Sequence, residues 1–288
     1  NLRFNFKPVS EKTISALISK IRINSSCGPD GIDALPFKLA KDILVVPLTH
    51  IINKSLLSGT FPSSWKVGRV TPVWKKGPRD DWNNYRPISC LSIPAKILEA
   101  CAKSQIADFF ERNNLFGTGQ HGFRPHRSTT SALVAMTSAW TDAVDRNHNA
   151  GALAFDLSSA FDSVDADILC NKLLIIGFDS LSVKWIKSFL TNRSQFIQIG
   201  NNTSTTLYII LGAPQGSVLS PVLFVIFISD IDEWTDYATL SGFADDYSAT
   251  VIDLTMKSTL KKLEHDAKNI LTFMASNCLF VNESKTTF

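Results

Sequence analysis

The chain has 288 residues with a formal net charge of +3, and 44% of its residues are hydrophobic, 19% charged and 10% aromatic. This composition supports a sizeable core and excludes a disordered or fibrous chain. The longest apolar run, residues 218–228, falls short of the ~20 residues that span a bilayer, and five scattered cysteines without a C-x-x-C pair predict neither a disulfide framework nor a zinc site.

The first half of the chain is rich in helix signals. Ser10 is a predicted cap for a helix with apolar residues up to Ile21, and a second apolar helix is predicted over 36–57 despite an internal Pro47. A short strand is predicted over 70–74 and another helix over 93–112. The loops around these elements carry much of the positive charge.

The second half alternates between the two kinds of element. Strands or hairpins are predicted over 150–157, 195–211, 240–244, 247–252 and 279–282. Helices are predicted between them, up to 174 and over 180–190, 217–231 and 255–277. The order β-α-α-β-β-α-β-β-α-β predicts an α+β fold in which helices cover a sheet.

Charge differs between the halves. Residues 1–150 carry 20 Lys and Arg against 11 Asp and Glu, a net +9, whereas residues 151–288 carry 9 against 15, a net −6. A basic half attracts polyanions such as nucleic acid, and an acidic half can hold a divalent cation. Two ordinary solvated faces would give the same numbers.

Three carboxylates interrupt apolar elements: Asp156 near the end of one predicted strand, and Asp245 with Asp246 at the tip of a predicted hairpin. Buried unpaired carboxylates are unfavourable, so acids converging on one sheet edge need a cation, and hard oxygen ligands suit Mg²⁺. Two such ions support phosphoryl transfer. The alternative for the Asp pair is a plain polar turn, where Asp is common.

Seven segments, in order along nearly the whole chain, resemble the conserved motifs of reverse transcriptases of non-LTR retrotransposons, in the LINE and jockey-like group. Residues 155–164 (FDLSSAFDSV) resemble motif A, 213–224 (APQGSVLSPVLF) motif B, 242–246 (GFADD) motif C and 282–286 (NESKT) motif D. Upstream, 28–32 (GPDGI), 84–89 (NYRPIS) and 121–129 (HGFRPHRST) are similar to the fingers motifs.

The resemblance implies the fingers and palm of a right-hand polymerase, the palm having a ferredoxin-like antiparallel sheet covered by helices. The expected regions are an N-terminal helical extension over 1–60, fingers over 61–148 and a palm over 149–288, with part of 178–214 able to pack with the fingers. A chain that starts at Asn1 and ends at Phe288 is expected to be a fragment, truncated before the thumb and lacking an endonuclease.

The resemblance also implies the catalytic residues. Asp156, Asp245 and Asp246 would hold two Mg²⁺ ions, with Mn²⁺ as a possible substitute, and a backbone carbonyl of Phe155 or Leu157 would add a ligand. Lys285 would protonate or neutralise the pyrophosphate leaving group.

The implied nucleotide-binding residues are Lys75 or Lys76, Arg86, Phe161, Gln215 and Gly216. Phe161 would be the steric gate against a ribose 2′-hydroxyl; without its motif it reads as an ordinary core aromatic. Lys75 and Lys76 are equally well explained as side chains of a solvent-exposed loop without a ligand. Between 113 and 141 the chain has no acidic residue, and the implied contacts with the template or primer are Arg124, Arg127 and His121.

The function implied is an RNA-directed DNA polymerase, a nucleotidyltransferase that extends a DNA primer on an RNA template with dNTPs. Two alternatives stay open: a decayed or domesticated RNA-binding module, and a polymerase of the group II intron or retron type. The resemblance points to the nucleus or cytoplasm and to no membrane partner.

Overall fold

The computed structural model describes residues 2–158 and 160–288, so Ser159 of the motif A segment lies outside the described residues. The helices are α1 Glu11–Lys20, α2 Ala34–Leu39, α3 Lys41–Ser58, α4 Ile93–Arg112, α5 Thr129–Asp145, α6 Ala166–Ile176, α7 Ser180–Leu190, α8 Ser220–Phe227 and α9 Met256–Ser276. The strands are β1 Val67–Trp74, β2 Tyr85–Cys90, β3 Asn149–Ser158, β4 Arg193–Ile199, β5 Asn202–Thr203, β6 Leu207–Ile209, β7 Thr239–Phe243, β8 Asp246–Asp253 and β9 Phe280–Val281.

These elements belong to two units that interleave along the sequence. Unit 1 combines Asn1–Ile106 with Ala166–Ser220, and unit 2 combines Ala107–Asp165 with Pro221–Phe288. All of the predicted palm segment 178–214 therefore belongs to the same unit as residues 61–106. The predicted boundaries of fingers and palm stay a prediction.

The helical part of unit 1 packs α1, α3, α6 and α7 around aromatic side chains. Trp185 on α7 is fully buried, and its ring lies 5.1 Å from that of Phe6 and 5.6 Å from that of Phe61. Its indole Nε1 donates a hydrogen bond to Oγ of Ser55, 2.9 Å away. A buried tryptophan whose only polar atom is satisfied is a stable anchor for the core.

Unit 1 also contains a mixed sheet. Its strand order is β2-β1-β4-β5, with β6 pairing to β4 as well. The β1 and β2 strands are antiparallel, and β1 runs parallel to β4. The connection between β1 and β2, residues 75–84, is polar and carries Lys75 and Lys76.

The sheet of unit 2 is antiparallel, in the order β7-β8-β3-β9. The amphipathic α9 packs on β3 and β8 through side chains such as Leu263 and Ile270, and α5 packs on β3 and β7. The expectation of an antiparallel sheet covered by helices describes this unit.

Several predicted elements differ from the structure. The helix predicted over 36–57 is divided at Ala40 into α2 and α3, yet Pro47 does not end α3, because burial of Leu48 and Ile52 outweighs the ~3 kcal/mol that an internal proline costs. The sequence reading missed β2 and α5. Asp179, immediately before the helix predicted over 180–190, is the N-cap of α7.

Helix α8 begins at Ser220 and not at Ser217. The Oγ of Ser217 accepts hydrogen bonds from the N–H groups of Leu219 and Ser220, both 3.1 Å away, so Ser217 caps the helix instead of belonging to it. Pro221 then lies in the first turn, where its missing N–H costs nothing. Among the helices of the described ranges, none combines the length and apolar character needed to cross a membrane.

Candidate active site

Antiparallel pairing brings two of the three predicted carboxylates together. Asp156, near the end of β3, lies directly opposite Asp246, the first residue of β8. Asp245 occupies the turn that joins β7 to β8. The three acids, from two distant stretches of sequence, thus lie at one edge of the sheet of unit 2.

The turn that carries Asp245 has an unusual backbone. Ala244 adopts φ of +62°, in the left-handed region that a residue with a side chain rarely enters. That conformation costs roughly 1–2 kcal/mol for an L-residue, so other contacts must hold it in place. The position of Asp245 therefore depends on contacts made by Ala244.

The charges at this edge are unbalanced. The pKa of Asp246 is raised, first by partial loss of solvation and then by a hydrogen bond with Asp156 and the negative charges of Asp245 and Asp156. Lys285 provides a counter-charge: its Nζ lies 2.6 Å from Oδ2 of Asp156, and this hydrogen bond is the main reason that the pKa of Lys285 is raised. Three repelling carboxylates with one ammonium group favour a further cation.

Lys285 reaches Asp156 because the end of the chain is tied to β3. Strand β9 pairs with β3 through Leu157 and Val281, and the N–H of Asn282 donates to the carbonyl oxygen of Asp156 at 2.8 Å. A 3₁₀ turn, Glu283–Lys285, then directs the lysine back along the strand. The motif D segment is thus placed beside motif A by backbone hydrogen bonds.

The carboxylate oxygens are the hard donors that Mg²⁺ and Mn²⁺ prefer, and the excess negative charge at this edge fits a divalent ion. Phe155 and Leu157, whose carbonyls are the other predicted ligands, flank Asp156 with buried side chains, and the ring of Phe155 stacks on Tyr247 at 5.8 Å.

A second cluster of potential metal ligands lies elsewhere in unit 2. Within the described parts of the chain, one group of three His, Cys, Asp or Glu side chains has its ligand atoms within 4.8 Å of one another: Asp236, His265 and Asp266. The carboxylate of Asp266 is fully buried and accepts the backbone N–H groups of residues 236–238 at 3.1, 2.8 and 2.5 Å. These bonds give it a structural task, the anchoring of a loop on α9.

Phe161 follows β3 in a 3₁₀ turn, Ala160–Ser163, and is half-buried. Its ring centroid lies 5.2 Å from that of Phe224 on α8 and 6.3 Å from that of Phe123. Neighbouring rings therefore fix its orientation while part of its surface stays accessible. A fully enclosed core aromatic would lack that accessible surface.

The predicted nucleotide-binding residues with basic side chains are exposed in unit 1. Arg86 lies on β2 opposite Val73, and Lys75 and Lys76 lie in the β1–β2 connection, where the N–H of Lys75 donates to the carbonyl of Asn84 at 2.8 Å. Exposed cations on a short hairpin suit contact with phosphates.

Gln215 and Gly216 are fixed against β2. The carbonyl of Gln215 accepts the N–H of Ser89 at 2.7 Å, and Gly216 has φ of +103°. A Cβ atom at Gly216 would lie 2.6 Å from the carbonyl oxygen of Ser89. Both the backbone angle and the close approach therefore require glycine.

Glu99 on α4 holds the other side of this loop, and the sequence reading missed it. Its fully buried Oε2 accepts Oγ–H of Ser217 and N–H of Val218, both at 2.7 Å, and burial raises the pKa of the carboxyl. The positive charge of buried Arg193 partly opposes this increase, and Glu99 in turn offsets part of the burial that lowers the pKa of Arg193 to about 10. An acid inside the apolar 93–102 pattern was the available signal.

The predicted template contacts differ in how much of each side chain is accessible. The side chain of Arg124 is 7% exposed, forms a two-bond pair with Glu111 at 2.9 and 2.7 Å, and donates to the carbonyls of Gly117 and Gln120. Little of its hydrogen-bonding capacity is left for a template. Such a bidentate pair favours a structural task.

His121 is also buried. Its Nδ1 lies 2.7 Å from Oγ of Ser131, and desolvation, reinforced by the charges of Arg127 and Arg124, lowers its pKa. Arg127 is half-buried and donates to the carbonyl of Thr118 at 2.8 Å. His121 is therefore neutral at pH 7, and Arg127 is the more accessible of these two.

Comparison with solved structures supports the expected fold. Solved telomerase structures from Candida tropicalis share the fold: one without RNA has a TM-score of 0.57 at 13% identity and covers 85% of this chain and 49% of that one. A complex with a telomeric RNA fragment has a TM-score of 0.56 at 12% identity, covering 79% and 41%. The expected α+β fold of polymerase fingers and palm is confirmed.

Residues 73–288 match the family model described as reverse transcriptase (RNA-dependent DNA polymerase), and the chain belongs to this family. A probable RNA-directed DNA polymerase from transposon BS of Drosophila melanogaster is 28% identical over 97% of this chain and 32% of its own length. The corresponding protein from mobile element jockey of Drosophila funebris is 29% identical over 78% and 24%. The predicted likeness to enzymes of non-LTR elements is confirmed.

The chain spans about a third or less of the length of these two relatives. The family is one of nucleotidyltransferases that generally use divalent metals and work on nucleic acid.

Proposed function

We propose that this chain is the catalytic core of an RNA-directed DNA polymerase of a non-LTR element, which extends a DNA primer with dNTPs on an RNA template. The observation that carries the proposal is the pairing of Asp156 with Asp246 across β3 and β8, beside Asp245 in the adjoining turn and with Lys285 Nζ 2.6 Å from Asp156. A sheet edge with three carboxylates and one ammonium group is suited to binding a triphosphate and its divalent ions.

In this proposal Asp156, Asp245 and Asp246 hold two Mg²⁺ ions, or Mn²⁺ as a substitute, and a carbonyl of Phe155 or Leu157 completes the ligand set. When bound, such a pair activates the primer hydroxyl and neutralises charge on the leaving pyrophosphate. The three carboxylates also keep this edge selective for cations, since their mutual repulsion is relieved only by positive charge.

Lys285 is the proton donor in this proposal. Its Nζ is protonated at neutral pH, as an ordinary lysine is, and the hydrogen bond with Asp156 places that proton beside the carboxylates, where pyrophosphate can take it up as it leaves. The same charge limits repulsion between Asp156 and the triphosphate before the reaction.

The other proposed roles concern substrates. The ring of Phe161 excludes a 2′-hydroxyl, Arg86 with Lys75 or Lys76 contacts the triphosphate, and the 215–216 loop contacts the nucleotide. A planar guanidinium is well suited to phosphate oxygens. Arg127 is the proposed template contact, because the side chains of His121 and Arg124 are largely buried and bound within the protein. The remaining thumb and endonuclease regions are proposed for the whole protein, acting on nucleic acid in the nucleus or cytoplasm.

The test is primer extension on a primed RNA template by a polypeptide that continues beyond Phe288. Asp245→Asn should lower incorporation by at least about 100-fold, equivalent to ~2.7 kcal/mol of transition-state stabilisation, while salt-dependent template binding stays nearly unchanged. Asp145→Asn, an exposed carboxylate at the end of α5, is the matched control and should behave like the parent.

Equal activity of Asp245→Asn and the parent would remove the assigned chemistry. Template binding without incorporation by the parent would indicate an RNA-binding module instead. Comparison of RNA and DNA templates with the same polypeptide measures its template preference.

A further inference from the structure

A buried glutamine contacts the turn that carries Asp245. Gln120 lies in the connection between α4 and α5 and is 4% exposed. Its Oε1 accepts hydrogen bonds from the N–H groups of Gly122, at 2.6 Å, and Ala244, at 3.1 Å. Its Nε2 donates to the carbonyl oxygen of Ala244 at 3.3 Å and to the hydroxyl of Tyr247 at 2.7 Å.

These contacts enclose the acidic pair on both sides. Ala244 precedes Asp245, and Tyr247 follows Asp246, so Gln120 binds the residues on either side of the two carboxylates. Ala244 is also the residue with φ of +62°, and both of its backbone polar groups are bound by the one side-chain amide. Among uncharged side chains of this length, only an amide can accept and donate in this way at once.

The backbone around Gln120 is fitted to the same hairpin. The N–H of His121 donates to the carbonyl of Gly242 at 2.7 Å, and the N–H of Gly242 donates to the carbonyl of Gly119 at 2.9 Å. A Cβ atom at Gly119 would lie 2.0 Å from the carbonyl oxygen of Leu240, and one at Gly122 would lie 2.2 Å from the nitrogen of Ala244. Glycines on both sides of Gln120 permit this approach.

We propose that Gln120 is a positioning residue for Asp245 and Asp246: its amide fixes the left-handed turn at Ala244 and thereby sets where the two carboxylates present their oxygens to divalent ions. The proposal rests on the proposed function for the identity of the ions and on the described contacts for the geometry. Gln120 acts through the backbone and is not assigned any contact with substrate.

The test uses variants that separate positioning from general stability. Gln120→Met keeps the length of the side chain but removes all four hydrogen bonds, and Tyr247→Phe removes only the hydroxyl that Nε2 contacts. Leu263→Ala, a buried truncation on α9, serves as the control for a loss of stability that leaves the turn unchanged.

Three measurements compare the variants in the full chain. Amide hydrogen exchange over residues 242–247 should become at least about tenfold faster in Gln120→Met and a few-fold faster in Tyr247→Phe, beyond any change in Leu263→Ala. Binding of Mn²⁺ alone, followed by electron paramagnetic resonance, should weaken about tenfold in Gln120→Met. In single-turnover extension, the maximal rate should fall with template affinity unchanged.

The proposal is overturned if Gln120→Met matches Leu263→Ala in exchange of the turn and in Mn²⁺ affinity. If Gln120→Met does not fold, parent-like exchange in Tyr247→Phe overturns it. A parent that does not polymerise refutes the proposed function, whereas the exchange comparison still decides the role of Gln120.

Discussion

The ammonium group of Lys285 and the carboxylate of Asp156 form an ion pair of 2.6 Å although 129 residues separate them in the chain. The side chain of Asp156 is 13% exposed and that of Lys285 is 53% exposed, so the lysine reaches from solvent onto a largely covered acid. An exposed partner contributes little to folding stability, because solvent screens it. The pair is therefore better explained by chemistry at the acid than by stability of the fold.

We expect Lys285→Met to lower the maximal rate of nucleotide incorporation by about 100-fold, the usual contribution of a positioned proton donor. Single-turnover extension at saturating dNTP measures this rate. Lys285→Arg keeps the positive charge but is a poor acid, so recovery by arginine would show that charge alone matters.

The control for this prediction is Lys268→Met, which removes an exposed pair of 2.8 Å with Glu264 on α9. Its rate should equal that of the parent. An unchanged rate in Lys285→Met would contradict the assigned role.

Phe161→Ala should allow ribonucleotides to be incorporated. The aromatic ring is held by Phe224 and Phe123 and keeps an accessible part, so its removal opens space where a 2′-hydroxyl would lie. We expect the preference for dNTP over NTP, measured as the ratio of kcat/KM values, to fall at least about tenfold, or ~1.4 kcal/mol. Phe161→Tyr, which keeps the ring, is the control, and unchanged discrimination in Phe161→Ala would refute the gate.

The acids are recognisable in the sequence for a physical reason. Asp156, Asp245 and Asp246 interrupt apolar elements, and strand alternation together with a two-residue hairpin predicts that they meet at one sheet edge. The antiparallel order of the sheet of unit 2 is implied by the resemblance to reverse transcriptases and not by these short-range patterns. Local signals therefore identify the three acids as candidates, and the resemblance distinguishes them from a plain polar turn.

The contacts that hold the site are not recognisable in this way, because they join distant segments. Gln120 reaches Ala244 across 124 residues, and Glu99 reaches Val218 across 119 residues. Gln120 is not unusual in its own neighbourhood, and the apolar residues around Glu99 mark it as an acid in a helix without identifying its partner. Arg124 illustrates the converse. A basic residue in an acid-free stretch suggests contact with nucleic acid, yet the guanidinium of Arg124 donates two hydrogen bonds to Glu111 on the preceding helix.

Glu99→Ala should destabilise the fold and loosen the 215–219 loop. The substitution leaves Ser217 and the N–H of Val218 without their acceptor and leaves the buried charge of Arg193 without its opposite. We expect a loss on the order of 3 kcal/mol in the free energy of unfolding, measured by urea denaturation. Ser104→Ala, exposed on the same helix, should change it by less than about 0.5 kcal/mol. A loss in Glu99→Ala no larger than in that control would contradict the anchoring role.

Glu111→Gln should destabilise the fold in a pH-dependent way. The hydrogen bonds from Arg124 are the main reason that the pKa of Glu111 is lowered. A carboxyl with a folded pKa below its unfolded value of about 4.3 stabilises the fold above that value, and this contribution is lost as the pH falls through the folded value. We expect a deficit of about 1–3 kcal/mol at pH 7 in Glu111→Gln that shrinks below pH 4.

The matched control for this prediction is Asp108→Asn, which removes the exposed partner of Arg112 one turn earlier on the same helix. It should cost less than about 1 kcal/mol at any pH, because solvent screens that pair. Urea denaturation of the parent and both variants between pH 3 and pH 7 provides the measurement. A constant deficit in Glu111→Gln across that range would show that lost packing, and not the charge of Glu111, is responsible, and Arg124 would again be a candidate for binding the template.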